Sequence, residues 1–240
     1  MIKVIVYVTK AIVALAASLL FCSCNFRQVE GNGNVTTQKR EVGGSFRSVT
    51  VGHGLELIIE QGNQTSVIVE ADENLQQHIK TEVRDGELVI KSDANINGTS
   101  AKIIVSTPQI DGIEATSGST VKSKNTIKGD VLELSGSSGS EMDVSVDVNN
   151  LTCDSSSGSS VIIKGKAEKF ETEASSGSSI NAKALVAKSI ISNSSSSGSV
   201  VVNPTESLTA EASSGGSVNY VNRPGNLNEK TSSGGSISQE

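Results

Sequence analysis

Residues 155–180 have the sequence SSSGSSVIIKGKAEKFETEASSGSSI, and this stretch decides the fold. A serine-serine-glycine triplet stands near each end, and apolar and polar side chains alternate between them. Alternation by two places successive side chains on opposite faces of a β-strand. Glycine adopts a positive φ at little cost, and serine hydroxyls can bond backbone groups that a turn leaves unpaired. The stretch therefore predicts strands that meet at a tight corner.

The same pattern recurs from residue 116 onward. Successive central glycines are separated by 21, 19, 19, 21, 17 and 19 residues. A repeat of about 19 residues is typical of a solenoid, whereas a disordered Gly/Ser linker would hold no such period. The glycines predicted to mark the repeat corners are Gly118, Gly139, Gly158, Gly177, Gly198, Gly215 and Gly234.

Aliphatic residues keep the same register as the glycines. An apolar residue stands three positions after each glycine, and another stands seven positions before each glycine from the second copy on. These two positions predict two short strands in each repeat. The first set is Val121, Met142, Val161, Ile180, Val201, Val218 and Ile237; the second is Leu132, Leu151, Phe170, Ile191, Leu208 and Leu227. The predicted fold is all-β: a single-stranded parallel β-helix, or β-solenoid, with coils of about 19 residues.

Composition supports a thin core. Hydrophobic residues make up 35% of the 240 residues, but aromatic residues make up only 2% and tryptophan is absent. A core of Val, Ile, Leu and Ala suits stacked strands better than a globule. The net charge is −6, and no basic run occurs, which argues against a nucleic-acid partner.

The first 23 residues are interpreted as a lipoprotein signal peptide. Lys3 and Lys10 supply positive charge, and residues 11–21 are almost wholly apolar but too few to span a bilayer as an ordinary helix. Cys24 is the expected lipidation site, because small residues precede it, whereas bulky Phe21 precedes Cys22. An uncleaved anchor or a plain secretory signal are the alternatives. The leader predicts a membrane-anchored lipoprotein of the cell envelope, at the outer membrane.

The mature chain is divided by its composition. Residues 24–43 are polar and are predicted to be a flexible tether. Residues 44–110 are strand-rich without Ser-Ser-Gly corners, and we expect irregular β structure that covers the first coil. Residues 111–240 form the Ser/Gly-cornered solenoid. An open strand edge at the C-terminal coil would favour self-association.

The sequence offers no set of catalytic, cofactor-binding or metal-binding residues. Cys153 is predicted to be a small buried hydrophobe, because the only histidines lie far upstream of it. Two carboxylate pairs, Glu141 with Asp143 and Glu171 with Glu173, would each share one strand face. Such pairs are more typical of a solvated face than of general acid/base chemistry.

The chain resembles bacterial proteins with the auto-transporter adhesin, head GIN domain. The resemblance rests on residues 46–49, 55–57, 69–75 and 85–90, and on the Ser-Gly-Ser motifs after Ile113. It covers residues from about 44 to the low 220s. It implies a β-helical adhesin domain that is exported, often as a lipoprotein, and it supplies no catalytic residues to transfer.

Three functions are compatible with these features. The first is surface adhesion by a lipid-anchored rod that offers a long flat face to a glycan or a host or matrix protein. The second is a periplasm-facing structural or sensing lipoprotein, kept open because no acidic run follows Cys24. The third is a polysaccharide-active β-helix enzyme that would use Glu141 or Glu171.

Overall fold

The computed structural model describes residues 28–98 and 100–240, so the predicted signal peptide, Cys22 and Cys24 lie outside the described residues. The described part consists of strands and turns and contains no helix, and hence none that could cross a membrane. The strands are β1 (Gln28–Glu30), β2 (Val35–Arg40), β3 (Ser48–Val51), β4 (Glu56–Gln61), β5 (Ser66–Asp72), β6 (Ile79–Arg84), β7 (Glu87–Ser92), β8 (Asn95–Asn97), β9 (Ala101–Thr107), β10 (Gly112–Ala115), β11 (Thr120–Ser123), β12 (Ile127–Gly136), β13 (Glu141–Ser155), β14 (Ser160–Ala174), β15 (Ser179–Ser194), β16 (Ser199–Ala212), β17 (Ser217–Tyr220), β18 (Asn226–Thr231) and β19 (Ser236–Gln239).

Parallel pairing in steps of about one repeat confirms the predicted solenoid. β13 runs from one corner to the next and pairs in parallel with β14, and β14 pairs with β15 in the same way. Cys153 therefore faces Thr172, and Thr172 faces Ser192. Each coil has a strand before the corner and a strand after it. Stacking the coils pairs these segments within one hydrogen-bonded sheet that folds around a common core. We call its two halves the sheet before the corners and the sheet after the corners.

The core is the stack of inward side chains predicted from the alternation. Met142, Val144, Val146 and Val148 on β13 are all buried. Phe170 is the largest of the fully buried side chains. Burying one such side chain contributes about 1.5–3 kcal/mol, so a thin core suffices when every coil repeats it. Cys153 lies in this stack as a buried free thiol, as predicted.

The N-terminal part supplies a regular coil of its own. β3 pairs in parallel with β10, and β4 pairs in parallel with β11, so residues 48–61 form the first coil. Its corner is His53-Gly54, where both residues have positive φ. This corner carries no Ser-Ser-Gly triplet, so the repeat pattern does not predict it. Beyond the first coil, β7 and β9 continue the two sheets in parallel, and antiparallel β6, β5 and β2 close them.

The predicted tether, residues 24–43, is wrong for residues 28–40. β2 pairs antiparallel with β5 along its whole length, and β1 pairs with β8. The buried Gln76 side chain donates to the Thr36 carbonyl at 2.8 Å, and Asn74 donates to the Glu30 carbonyl at 2.7 Å. Backbone pairing depends little on side-chain polarity, so a polar composition did not reveal these strands.

Candidate binding surface

Each corner is a tight turn with two consecutive left-handed residues. At Ser157-Gly158 the φ angles are 51° and 73°, and the N–H of Ser159 donates to the Ser156 carbonyl at 3.1 Å. Two positive φ angles with this bond match a type I′ turn. Six of the predicted corner glycines occupy the second left-handed position: Gly118, Gly139, Gly158, Gly177, Gly215 and Gly234.

Gly198 lies one residue later than predicted. In its corner the left-handed pair is Ser196-Ser197, with φ of 47° and 63°, and Gly198 is the residue that closes the turn. The neighbouring apolar positions shift with it. Val200 and Ile190 are buried, whereas Ile191 is 45% exposed. A slip of one residue moves a side chain to the other face of a strand, so the glycine alone gave the wrong register here.

The residue that closes the turn links neighbouring coils when it is serine. Ser159 is buried, and its hydroxyl donates to the Gly136 carbonyl of the preceding coil at 2.8 Å. The same hydroxyl accepts the backbone N–H of Ser156 at 3.1 Å. Four corners share this arrangement, and the serines are Ser119, Ser140, Ser159 and Ser178.

The last three corners have glycine in that position, because the preceding coil comes too close for a side chain. A Cβ atom on Gly216 would lie 2.6 Å from the carbonyl carbon and oxygen of Ser194. On Gly235 it would lie 2.3 Å from the carbonyl oxygen of Ala212. The corner column therefore has two forms, one joined by buried hydroxyls and one packed backbone to backbone.

The outer side of the column is a regular array of hydroxyl groups. Ser179 donates to the Ser160 hydroxyl at 3.2 Å, and Ser217 donates to the Ser199 hydroxyl at 3.3 Å. Strands in a sheet lie about 4.8 Å apart, so equivalent hydroxyls repeat at that spacing along the rod. The first left-handed serine of each corner, such as Ser157, is exposed beside this array.

The sheet formed by the strands before each corner carries a row of carboxylates, which we call the acidic face. Within the described residues none of them forms a salt bridge with lysine or arginine. Four of them line a shallow depression of about 350 Å³. The acidic face consists of Glu87, Glu114, Glu133, Asp154, Glu171 and Glu173.

Asp154 lies in the middle of the acidic face. Partial desolvation raises the pKa of the Asp154 carboxyl, and the negative charges of Glu173, Glu171 and Glu133 raise it further. These groups lie on neighbouring coils of one sheet. The surface thus concentrates negative charge that a cationic ligand would relieve.

The sheet formed by the strands after each corner differs in charge. Several of its carboxylates are paired with lysines, such as Glu56 with Lys122 at 3.1 Å and Asp143 with Lys164 at 2.8 Å. Exposed pairs of this kind contribute little to stability, but they leave the sheet electrically balanced. The two long faces of the rod therefore present different surfaces to a partner.

The carboxylates of the two predicted pairs, Glu141 with Asp143 and Glu171 with Glu173, all project outward. The sequence pattern did not predict the acidic face, because its carboxylates lie on separate coils. One feature of the sequence could have indicated it: Glu114, Asp154 and Glu173 each stand two residues before the first residue of a corner.

Burial raises the pKa of the Cys153 thiol far above its usual range, which removes thiolate chemistry there. In the described part of the chain, no three His, Cys, Asp or Glu residues are placed to hold a metal ion.

The fold and its outward surfaces define a parallel β-solenoid with a repeating exterior. The model of the family "Putative auto-transporter adhesin, head GIN domain" matches residues 45–224, and the chain belongs to this family. The match includes the first coil and most of the corner column. No protein among the curated ones matches the chain.

Solved structures share the fold. A "putative adhesin" from Bacteroides fragilis superimposes with a TM-score of 0.80 at 20% identity, covering 88% of this chain and 100% of that one. A "putative adhesin" from Parabacteroides distasonis gives 0.72 at 21% identity, covering 89% and 100%. A "Putative lipid binding protein" from the same species gives 0.70 at 19% identity, with the same coverage. At these identities the likeness shows the fold alone.

Proposed function

We propose that this protein is a lipid-anchored, adhesin-like binding protein of the cell envelope. In this role the solenoid presents its outer surface to a glycan or a protein. Membership of the adhesin family supports the binding role. The observation that carries the proposal is the repeating exterior, in which an acidic face, a hydroxyl column and a charge-balanced face run along one rod. A flat periodic surface suits an extended partner better than a small substrate.

The anchor in this proposal is a lipid on Cys24 at the outer membrane. β1 begins at Gln28, four residues after Cys24. Four extended residues span at most about 14 Å, so the N-terminal end of the solenoid would sit close to the membrane surface. The later coils would then project away from the anchor, where a partner can reach both long faces.

We infer that the protein binds rather than catalyses. The solved structures of the same fold carry adhesin and lipid-binding names. The Cys153 thiol is enclosed in the core, and the row of uncompensated carboxylates would repel a nucleic-acid backbone. The acidic face instead favours a neutral or cationic partner.

Metabolic labelling with a fatty acid tests the anchor. The wild-type chain and a Cys22→Ser variant should take up label and fractionate with the outer membrane. A Cys24→Ser variant should lose both. Equal labelling of the Cys24→Ser and wild-type chains would refute Cys24 as the lipidated residue.

Protease shaving of intact cells tests exposure, with a periplasmic protein as the control. Cleavage of this chain while the control survives would support adhesion. Protection until the outer membrane is breached would instead favour a periplasm-facing structural or sensing role. Binding itself is tested by comparing wild-type and deletion cells for attachment to glycan- and matrix-coated surfaces. Unchanged attachment, together with no binding by the purified protein, would overturn the adhesin-like role.

A further inference from the structure

Two depressions lie beneath the first corner of the column. One has a volume of about 390 Å³ and the other about 440 Å³. Both are lined by Gly54 of the corner and by Ile96 of β8, so they adjoin each other along β8, and we call the pair the groove. Each volume falls within the range of about 300–1,000 Å³ found for small-ligand sites. The groove is an opening at which the regular stack of coils is interrupted.

His53 gives this corner a side chain that the other corners do not have. Its φ of 61° matches the left-handed serines that hold the same position elsewhere, such as Ser138 at 52°. The backbone is therefore the same, and only the side chain differs. The exposed imidazole lines the groove, where the repeat pattern would have placed a hydroxyl. A flat ring at the wall of the groove offers a surface for the C–H face of a sugar ring.

The charged groups that line the groove are already paired. Asp93 bonds to His78 at 2.8 Å and to Lys80 at 3.1 Å, and these bonds lower the pKa of its carboxyl. Glu56 is paired with Lys122 at 3.1 Å. Lys102 lies 3.7 Å from Glu70. With its charges compensated, the groove would gain little from a strongly charged ligand.

Neutral polar groups remain available beside a small apolar patch. The Asn95 side chain is exposed and makes no hydrogen bond to the described residues, which leaves both its donor and its acceptor free. Ser117 of the next corner lines the same depression, and Ile96 and Ala94 supply the apolar patch. A ligand rich in hydroxyl groups with apolar C–H faces matches this lining.

We propose that this groove binds a short stretch of a neutral carbohydrate chain. His53 and Ile96 contact the C–H faces of the sugar rings, and Asn95 and Ser117 bond their hydroxyl groups. The proposal rests on the binding role proposed above and names the class of ligand and its site. It separates this site from the acidic face, which lies along the sheet before the corners.

Calorimetric titration of the mature protein, in a detergent without a sugar headgroup, tests the proposal. The probes are cellohexaose, maltohexaose and N-acetylchitohexaose, with hexagalacturonate as the charged comparison. At least one neutral hexasaccharide should bind, and more tightly than hexagalacturonate. His53→Ser and Asn95→Ala should each weaken that binding by about tenfold or more. His53→Ser restores the side chain found at the other corners, so its fold should be retained. Ser138→Ala, two coils further along, is the matched control and should leave binding within twofold.

Two results would overturn the proposal. One is the absence of binding by all three neutral hexasaccharides, including the case in which a peptide or matrix protein binds instead. The other is binding that survives both groove substitutions unchanged. If cells still attach through the chain in either case, the adhesin-like role stands and only the groove assignment falls. If deletion of the chain also leaves cell attachment unchanged, both the groove assignment and the adhesin-like role fail.

Discussion

Ser157 and Gly158 show how each corner balances strain against bonding. A non-glycine residue in the left-handed region costs about 1–2 kcal/mol, and every corner places a serine or histidine there. The cost is offset by a bond between corners, since the Gly158 N–H donates to the Ser176 carbonyl at 3.2 Å. Glycine at the second left-handed position adopts a positive φ at little cost, so only one residue of the turn is strained. Only Ser196-Ser197 departs from this rule.

Gly158→Ala should isolate the cost of the backbone conformation. A Cβ atom there would meet nothing within 4 Å, so the loss reflects φ alone. We expect the free energy of unfolding to fall by about 1–2 kcal/mol, measured by urea denaturation. Gly129→Ala is the control, because Gly129 has no positive φ and an added Cβ makes only ordinary contact. Equal stability of the two variants would contradict this account of the turn.

Ser159→Ala should remove the link between two coils. Its buried hydroxyl donates to the Gly136 carbonyl and accepts the Ser156 N–H, so the variant leaves buried backbone groups with fewer partners. The expected loss is about 1–3 kcal/mol in the free energy of unfolding. The exposed neighbour Ser157→Ala should change it by no more than about 0.5 kcal/mol. Thermal and urea unfolding of both variants would check the difference, and a loss at Ser157 as large as that at Ser159 would count against it.

At the scale of strands, the repeat in the sequence predicted the solenoid and its core. The periodic Val, Ile and Leu positions are buried in the internal coils other than that of Gly198, as at Val161 and Phe170, whereas Leu227 and Ile237 of the last coil are only partly buried. The prediction was wrong by one residue at Gly198. The Ser/Gly motif does not show which two residues adopt positive φ, and here they are Ser196 and Ser197. Periodicity also could not find the His53-Gly54 corner, whose partner coil lies more than sixty residues away along the chain.

The candidate surface was harder to predict than the fold. Outward side chains are not constrained by packing, so nothing in the local pattern shows which of them meet. Asp154 and Glu173 lie 19 residues apart and become neighbours only through the pairing of β13 with β14. The groove at His53 depends on β8, which departs from the repeat. Both features follow from the stacking of coils, and the sequence shows them only once the register is known.

Asp154→Asn should stabilise the protein at neutral pH. The pKa of the folded-state carboxyl is raised, so the native state binds more protons than the unfolded state between the unfolded value, about 3.9, and the folded one. Stability is therefore lost as the pH rises through the folded pKa. The variant should unfold at a higher temperature than the wild type at pH 7, and the gain should vanish below about pH 3.9.

Asp143→Asn is the matched control for the acidic face. Asp143 lies on the charge-balanced sheet and is paired with Lys164, so its loss should leave stability equal or lower at pH 7. Melting curves of both variants between pH 3 and pH 8 would show the contrast. A stabilised Asp143→Asn, or a destabilised Asp154→Asn at pH 7, would contradict the assigned repulsion.

At the scale of the whole molecule, the coils contact mainly their nearest neighbours. β14 contacts β13 and β15 extensively, and the corner bonds also join one coil to the next. In such a stack, stability is close to a sum of coil terms and interface terms. The number of coils, and with it the length of the rod, can then change without a change of fold.

Deleting residues 156–174 should test this modular stacking. The deletion removes one coil of 19 residues and joins Ser155 to Ser175, so the next corner takes the place of the missing one. Cys153 would then face Ser192, and Leu151 would face Ile190. In the intact protein each of these pairs is separated by one residue of β14. The shortened protein should keep its β circular-dichroism spectrum and unfold cooperatively at a lower temperature. Small-angle scattering should show a rod about 4.8 Å shorter. Deleting residues 156–165 is the control, since it removes a corner but leaves half a coil out of register, and it should prevent folding. If both deletions fold equally well, the corners do not set the register and the stack is not modular.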